Sequence, residues 1–142
     1  MNFNKRFFVF GLLMTVIFLA SCDYQPYKQG RNLYNFYCAT CHMDDGSGLK
    51  GLYPPLAGAD YLAEHQENLA CIIRYGLSDT IVVNQKMYNQ AMPGVKDLNE
   101  VQITNVINYI NHAWGNELQH VKVEDIQESL LDCKKDSSNN SN

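Results

Sequence analysis

The chain has 142 residues, a formal net charge of −4 at neutral pH and five cysteines. That length suits one domain with a modest core. The mild acidity argues against a nucleic-acid partner, and so many cysteines in so short a chain argue against the reducing cytosol.

Residues 1–21 read as a targeting segment rather than as structure. Lys5 and Arg6 form a basic start, and residues 7–19 form an apolar run too short for an ordinary membrane-spanning helix. The run ends in Leu19-Ala20-Ser21-Cys22, which resembles the lipobox of bacterial lipoproteins. The resemblance implies cleavage before Cys22 and lipidation of its sulfur. The mature chain would then be tethered to a membrane of the bacterial cell envelope, with its domain outside the cytoplasm, in the periplasm. A plain signal peptide with a coincidental cysteine is the alternative. Loss of Lys5 and Arg6 leaves nine basic against fifteen acidic side chains. Such a balance serves solubility and is compatible with docking on a basic patch.

Residues 22–28 form a polar tether containing Pro26. From Tyr27 to Cys41 the apolar spacing is helical, through Gly30, Leu33 or Tyr34, and Tyr37. Gly30 costs such a helix about 1 kcal/mol relative to Ala, which asks for a packing reason. The segment ends in Cys38-Ala39-Thr40-Cys41-His42, a C-x-x-C-H motif and the attachment signal of a c-type haem. Two thiols three positions apart can each add to a vinyl group on one porphyrin edge, and the next residue, His42, then supplies a proximal ligand. A zinc site would need a second closely spaced pair, and Cys22, Cys71 and Cys133 form none. A thioredoxin-like pair would need a βαβ context that is absent from the sequence pattern.

Residues 43–48 are a glycine-rich polar loop leading to Tyr53-Pro54-Pro55. Asp60 can cap a short turn, and a clearer helix is expected over residues 66–75, stopping at Gly76. Its Leu69, Ile72 and Ile73 read as haem-facing or core residues, and Arg74 as a surface cation. Apolar residues flank Asn84-Gln85, which suggests a small hairpin. After Leu98, Asn99 and Gln102 have the spacing of a capping box. Ile103, Ile107, Ile110 and Trp114 then form one helical stripe closed by Gly115. Residues 123–131 suggest a short peripheral helix, and the charged, then Ser/Asn-only, residues 134–142 a disordered tail. Asp44, Asp45 and Glu64 read as surface charges rather than acid–base partners. With three cysteines assigned, Cys71 and Cys133 remain, either as a disulfide pinning the C-terminal segment or as two separate thiols.

Over residues 29–116 the chain resembles the class I c-type cytochromes. The resemblance rests on Gly30 and Tyr34 before C-x-x-C-H, on Pro54, on Ala91-Met92-Pro93-Gly94, and on Val106 and Tyr109. It implies an all-α cytochrome c fold, with one haem c wrapped by three to four helices and a small hairpin inserted before the distal methionine. Residues 117–133 would form a C-terminal extension. The same resemblance implies covalent attachment at Cys38 and Cys41, and His42 and Met92 as the axial ligands of the iron. It makes the Pro54 carbonyl the acceptor for the His42 ring, and Val106 and Tyr109 the partners of the first helix near Gly30. Met43 and Met87 are weaker ligand candidates. Gln85 departs from the Asn-Gly turn of relatives carrying such a hairpin.

The implied function is single-electron transfer between redox proteins, with no small-molecule substrate and no catalytic residues. Two other classes remain open: a catalytic or gas-sensing haem, if Met92 is not a ligand, and a fixed cytochrome subunit of a larger redox complex.

Overall fold

The computed structural model describes residues 25–139. The expected targeting segment with Cys22 lies outside the described residues, as do residues 140–142. In chain order the elements are α1 (Lys28–Tyr37), α2 (Ala39–His42), α3 (Asp60–Glu64), a 3-10 turn (Gln66–Asn68), α4 (Leu69–Tyr75), β1 (Gly76–Leu77), β2 (Ile81–Val83), β3 (Lys86–Tyr88), β4 (Met92–Pro93), α5 (Glu100–His112) and α6 (Val123–Asn139). The domain is mostly helical with two small two-stranded sheets.

Helices α1 and α5 cross at Gly30. A Cβ placed there would lie 2.7 Å from the Tyr109 Cβ and would overlap the Asn105 carbonyl. Glycine therefore admits a backbone approach that no other residue allows, and this contact offsets its poor helix propensity. Tyr34, Ile103, Val106, Ile107 and Ile110 form the centre of the core around the crossing.

Helix α5 opens with the expected capping box: the Gln102 N–H donates to the Asn99 side chain, and the Asn99 N–H to the Gln102 side chain, each at 2.9 Å. Its C-terminal end corrects the sequence reading. The helix stops at His112, and Ala113 is extended with φ −86° and ψ 158°. Trp114, at φ 54°, thus leaves the expected stripe. Its ring packs edge-on against Tyr34 and Tyr109, and its Nε1–H donates to the Asp44 carbonyl at 3.0 Å.

Asp60 is the first residue of α3 rather than its cap, a position held by Ala59. Its carboxylate accepts from the N–H groups of Tyr61 and Asn84, each at 2.7 Å. Residues 66–68 form a 3-10 turn, and α4 begins only at Leu69. The helix ends at Gly76, with φ 87°.

The expected hairpin is β2–β3, with Val83 opposite Lys86 and a two-residue turn at Asn84 (φ 49°) and Gln85 (φ 64°). Both turn residues are left-handed, the geometry that matches strand twist in two-residue hairpins. Gln85 is unsuited to it by itself. Asn84 compensates: its side chain accepts from the Asp60 N–H at 3.1 Å and donates to the Gly58 carbonyl at 3.1 Å.

The second sheet has no counterpart in the sequence reading. Strands β1 and β4 pair antiparallel, Gly76 with Pro93 and Leu77 with Met92. A Cβ on Gly76 would strike the Met92 carbonyl, so this glycine both ends α4 and lets the Met92 strand approach.

The chain beyond α5 is pinned to it. Asn108 accepts from the Val121 N–H and donates to the Val121 carbonyl, while Asn111 donates to the Gln119 carbonyl. Helix α6 buries Ile126 and Leu130, and Cys133 is disulfide-bonded to Cys71 on α4, with Cα atoms 6.1 Å apart. The helix continues to Asn139, past Lys134, where composition alone suggests disorder. Once a helix is nucleated and held by tertiary contacts, each further residue adds a backbone bond at little cost.

Candidate functional site

Residues 38–42 form the first side of the site. The Cys41 and His42 N–H groups both donate to the Cys38 carbonyl, at 3.1 and 2.9 Å, which closes one helical turn at the start of α2. Cys38, Cys41 and His42 therefore share one short stretch of backbone, and all three line the same cavity. Its empty volume, open mouth included, is about 1040 Å³.

The orientation of His42 is fixed by a backbone carbonyl. Its ring is buried, and Nδ1 lies 2.9 Å from the Pro54 oxygen. A carbonyl only accepts, so Nδ1 carries the proton and Nε2 keeps its lone pair. Burial pushes the imidazole pKa down, outweighing the opposing effect of this hydrogen bond, so the neutral ring is favoured. The loop that carries Pro54 is pinned two residues further on. Leu56 N–H donates to the Gly46 carbonyl at 2.8 Å, and the Asn116 side chain donates to the Leu56 and Ile110 carbonyls at 3.0 and 2.7 Å.

Both thiols of the motif are free. Burial, and next the neighbouring Cys41, push the Cys38 pKa up to about 11, so this thiol stays protonated at neutral pH.

Met92 reaches the cavity from β4, half-buried and paired through its backbone with Leu77. The other methionines weighed from sequence are elsewhere. Met87 is 72% exposed on the hairpin, and neither it nor Met43 lines the cavity. Nor do the remaining histidines. His65 stacks on Tyr61 at 3.9 Å, while His112 and His120 surround Tyr27.

Leu69, Ile72 and Ile73 form an apolar wall of the cavity. Arg74, next in sequence, pairs with Glu100 at 3.4 Å and is only 20% exposed, more enclosed than a surface cation. The hairpin contributes Ile81, Val83 and Tyr88 from one face, with Val82 and Met87 outside. Alternation along Ile81-Val82-Val83 could have revealed this. The contributions of Tyr53, Tyr61, Asp79 and Gln90 follow from tertiary packing and carry no sequence signal.

An apolar cavity holding two free thiols, an imidazole with one nitrogen engaged and a thioether is a donor set that fits a covalently bound haem. A closed structural metal site would use four converging polar ligands instead.

The cytochrome c family model matches residues 27–114. The chain is 36% identical over 115 residues to a cytochrome c-552 of Thermus thermophilus, covering 78% of this chain and 73% of that protein. It is also 35% identical over 103 residues to the cytochrome c subunit of the alcohol dehydrogenase (quinone) of Gluconobacter oxydans. That match covers 69% of this chain and 21% of the subunit. A similar match, 30% over 103 residues, covers 70% of this chain and 21% of the fructose dehydrogenase cytochrome subunit of Gluconobacter japonicus.

Proposed function

The chain belongs to the cytochrome c family of haem-bearing electron carriers, and from that premise we propose that it is a monohaem carrier, tethered to a membrane through Cys22, that passes single electrons between redox proteins outside the cytoplasm. The observation that carries this reading is the meeting of Cys38, Cys41, His42 and Met92 on one apolar cavity.

Each residue has a distinct part. Cys38 and Cys41 would hold the haem through thioether bonds. His42, with Nδ1 committed to Pro54, offers Nε2 to the iron, and Met92 offers its sulfur. When bound, the haem supplies a one-electron couple. The apolar walls from α4 and the hairpin limit the approach of water, and with both residues as ligands the iron would have no position left for a substrate. Thioether ligation favours the reduced state and raises the potential.

Tethering is supported by the sequence pattern of residues 5–22 alone. Intact-mass measurement of the mature protein should find Cys22 first and acyl mass added; a mature chain without that mass removes the tether.

A second reading is favoured by the likeness to dehydrogenase cytochrome subunits. Here the same domain would serve as a fixed subunit of a redox complex. Isolation in mild detergent separates the two: a free carrier migrates alone, and a subunit brings a dehydrogenase with it.

The test of the main reading is haem retention. Haem should stay with the polypeptide through acid–organic extraction, and Cys38→Ser with Cys41→Ser should release it. Freely extractable haem in the mature wild-type protein contradicts the reading.

A further inference from the structure

The outer face of α1 takes no part in the site. Lys28, Arg31, Asn32, Asn35 and Phe36 recur at helical spacing and are all exposed, while Gly30, Leu33 and Tyr34 turn inward. The helix contains no carboxylate, and among the described residues neither Lys28 nor Arg31 lies within ion-pair distance of one. Phe36 is 76% exposed at the far end of the stripe. In a chain with net charge −4, this face is cationic and ends in an aromatic ring. That combination suits an interface with anionic headgroups.

Tyr27 fixes where the preceding chain leaves the domain. It adopts φ 61°, its carbonyl accepts from the Arg31 N–H at 2.9 Å, and its ring stacks on His112 with centroids 4.7 Å apart. The five steps from Cys22 to Tyr27 span at most about 18 Å when fully extended. An anchor at Cys22 would therefore hold the start of α1 within reach of the headgroup layer.

We propose that this face of α1 rests on an anionic lipid surface, with Lys28 and Arg31 on headgroup phosphates and Phe36 in the interfacial layer. The inference rests on the reading that Cys22 anchors the chain to a membrane. Tyr34 lines the haem cavity from the inward side of the same helix. Laying the outer side on lipid thus turns that wall away from the bilayer and toward soluble or membrane-bound partners.

The test uses full-length holoprotein with vesicles of phosphatidylcholine alone or mixed with phosphatidylglycerol, and reads amine acylation of Lys28 by mass spectrometry. Lys96, exposed on another segment, is the internal control. Lys28 labelling should slow roughly fivefold or more in the anionic vesicles, the effect of one basic group at a charged surface. Protection should vanish at about 1 M salt, where the screening length is about 3 Å. It should also vanish in the double variant Arg31→Glu/Phe36→Ser, whose haem spectrum should be unchanged. Equal Lys28 rates in both vesicles overturn the proposal and leave the face to an acidic protein partner. Flotation with the neutral vesicles reads the anchor separately. If the chain fails to float there, anchoring falls, and the face is judged by flotation with anionic vesicles. Salt-sensitive binding lost in the double variant supports it, and no binding overturns it.

Discussion

The Tyr34 hydroxyl donates to the Met43 carbonyl at 2.6 Å, one residue beyond His42. The bond links the inward face of α1 to the residue that follows the C-x-x-C-H turn. Tyr34 is fully buried, and burial is the largest cause raising its pKa well above the ordinary 10.0. Because the folded-state pKa exceeds the unfolded one, the unfolded chain loses the proton first. The contribution of Tyr34 to stability is thus complete below about pH 10 and drains away as pH rises beyond it. Tyr34→Phe should cost about 1 kcal/mol at pH 7 through the lost hydrogen bond. It should also flatten the alkaline fall in denaturant midpoint, whereas equal alkaline slopes in both proteins count against this assignment.

Gly30→Ala tests the helix crossing. Alanine favours the helix by up to about 1 kcal/mol. Forcing a methyl group onto the Asn105 carbonyl and the Tyr109 Cβ costs more, because the obstacle is partly backbone. The net effect should be destabilisation of about 2 kcal/mol, read as a lower denaturant midpoint with an unchanged slope. An unchanged or higher midpoint would show that the helices can separate freely.

The hairpin turn gives a pair of opposite effects. Asn84→Ala removes two side-chain hydrogen bonds to residues 58–60 and puts alanine at φ 49°, so thermal stability should fall by about 2 kcal/mol. Gln85→Gly should raise it by a few tenths of a kcal/mol, roughly, since glycine adopts φ 64° without strain but loses more chain entropy. Destabilisation by both would mean that the Gln85 side chain contributes through contacts of its own.

Much of this fold was readable from local chemistry. The Asn99–Gln102 box, the stop at Gly76 and the turn at Asn84-Gln85 each depend on neighbours in sequence. So does the C-x-x-C-H turn, which brings Cys38, Cys41 and His42 to one cavity. What could not be read depends on distant partners. Strands β1 and β4 are two residues long, and their pairing needs Gly76 to meet the Met92 strand. Trp114 keeps the spacing of the α5 stripe, yet its ring belongs with the loop after His42. Asn116 is one polar residue among many in the sequence, and only tertiary structure makes it the clamp on residues 56–58.

The Cys71–Cys133 bridge joins a cavity-lining helix to the C-terminal one, across 62 positions of sequence. Its loss in Cys71→Ala/Cys133→Ala should lower stability by about 2–4 kcal/mol. Haem absorbance should persist, because neither cysteine belongs to the motif. Non-reducing peptide mapping should recover the two peptides linked; free thiols at both positions would remove the bridge.

Carbon monoxide binding by the ferrous protein at neutral pH tests electron carriage against haem catalysis or gas sensing most directly. If His42 and Met92 both hold the iron, as proposed, the wild type should bind it poorly, and Met87→Ala, altered on the exposed side of the hairpin, should behave the same. Met92→Ala should bind rapidly and show a lower potential, since the soft ligand that favours the reduced state has gone. Rapid binding by the wild type would mean an open iron position, and would contradict both Met92 as ligand and electron transfer as the protein's task.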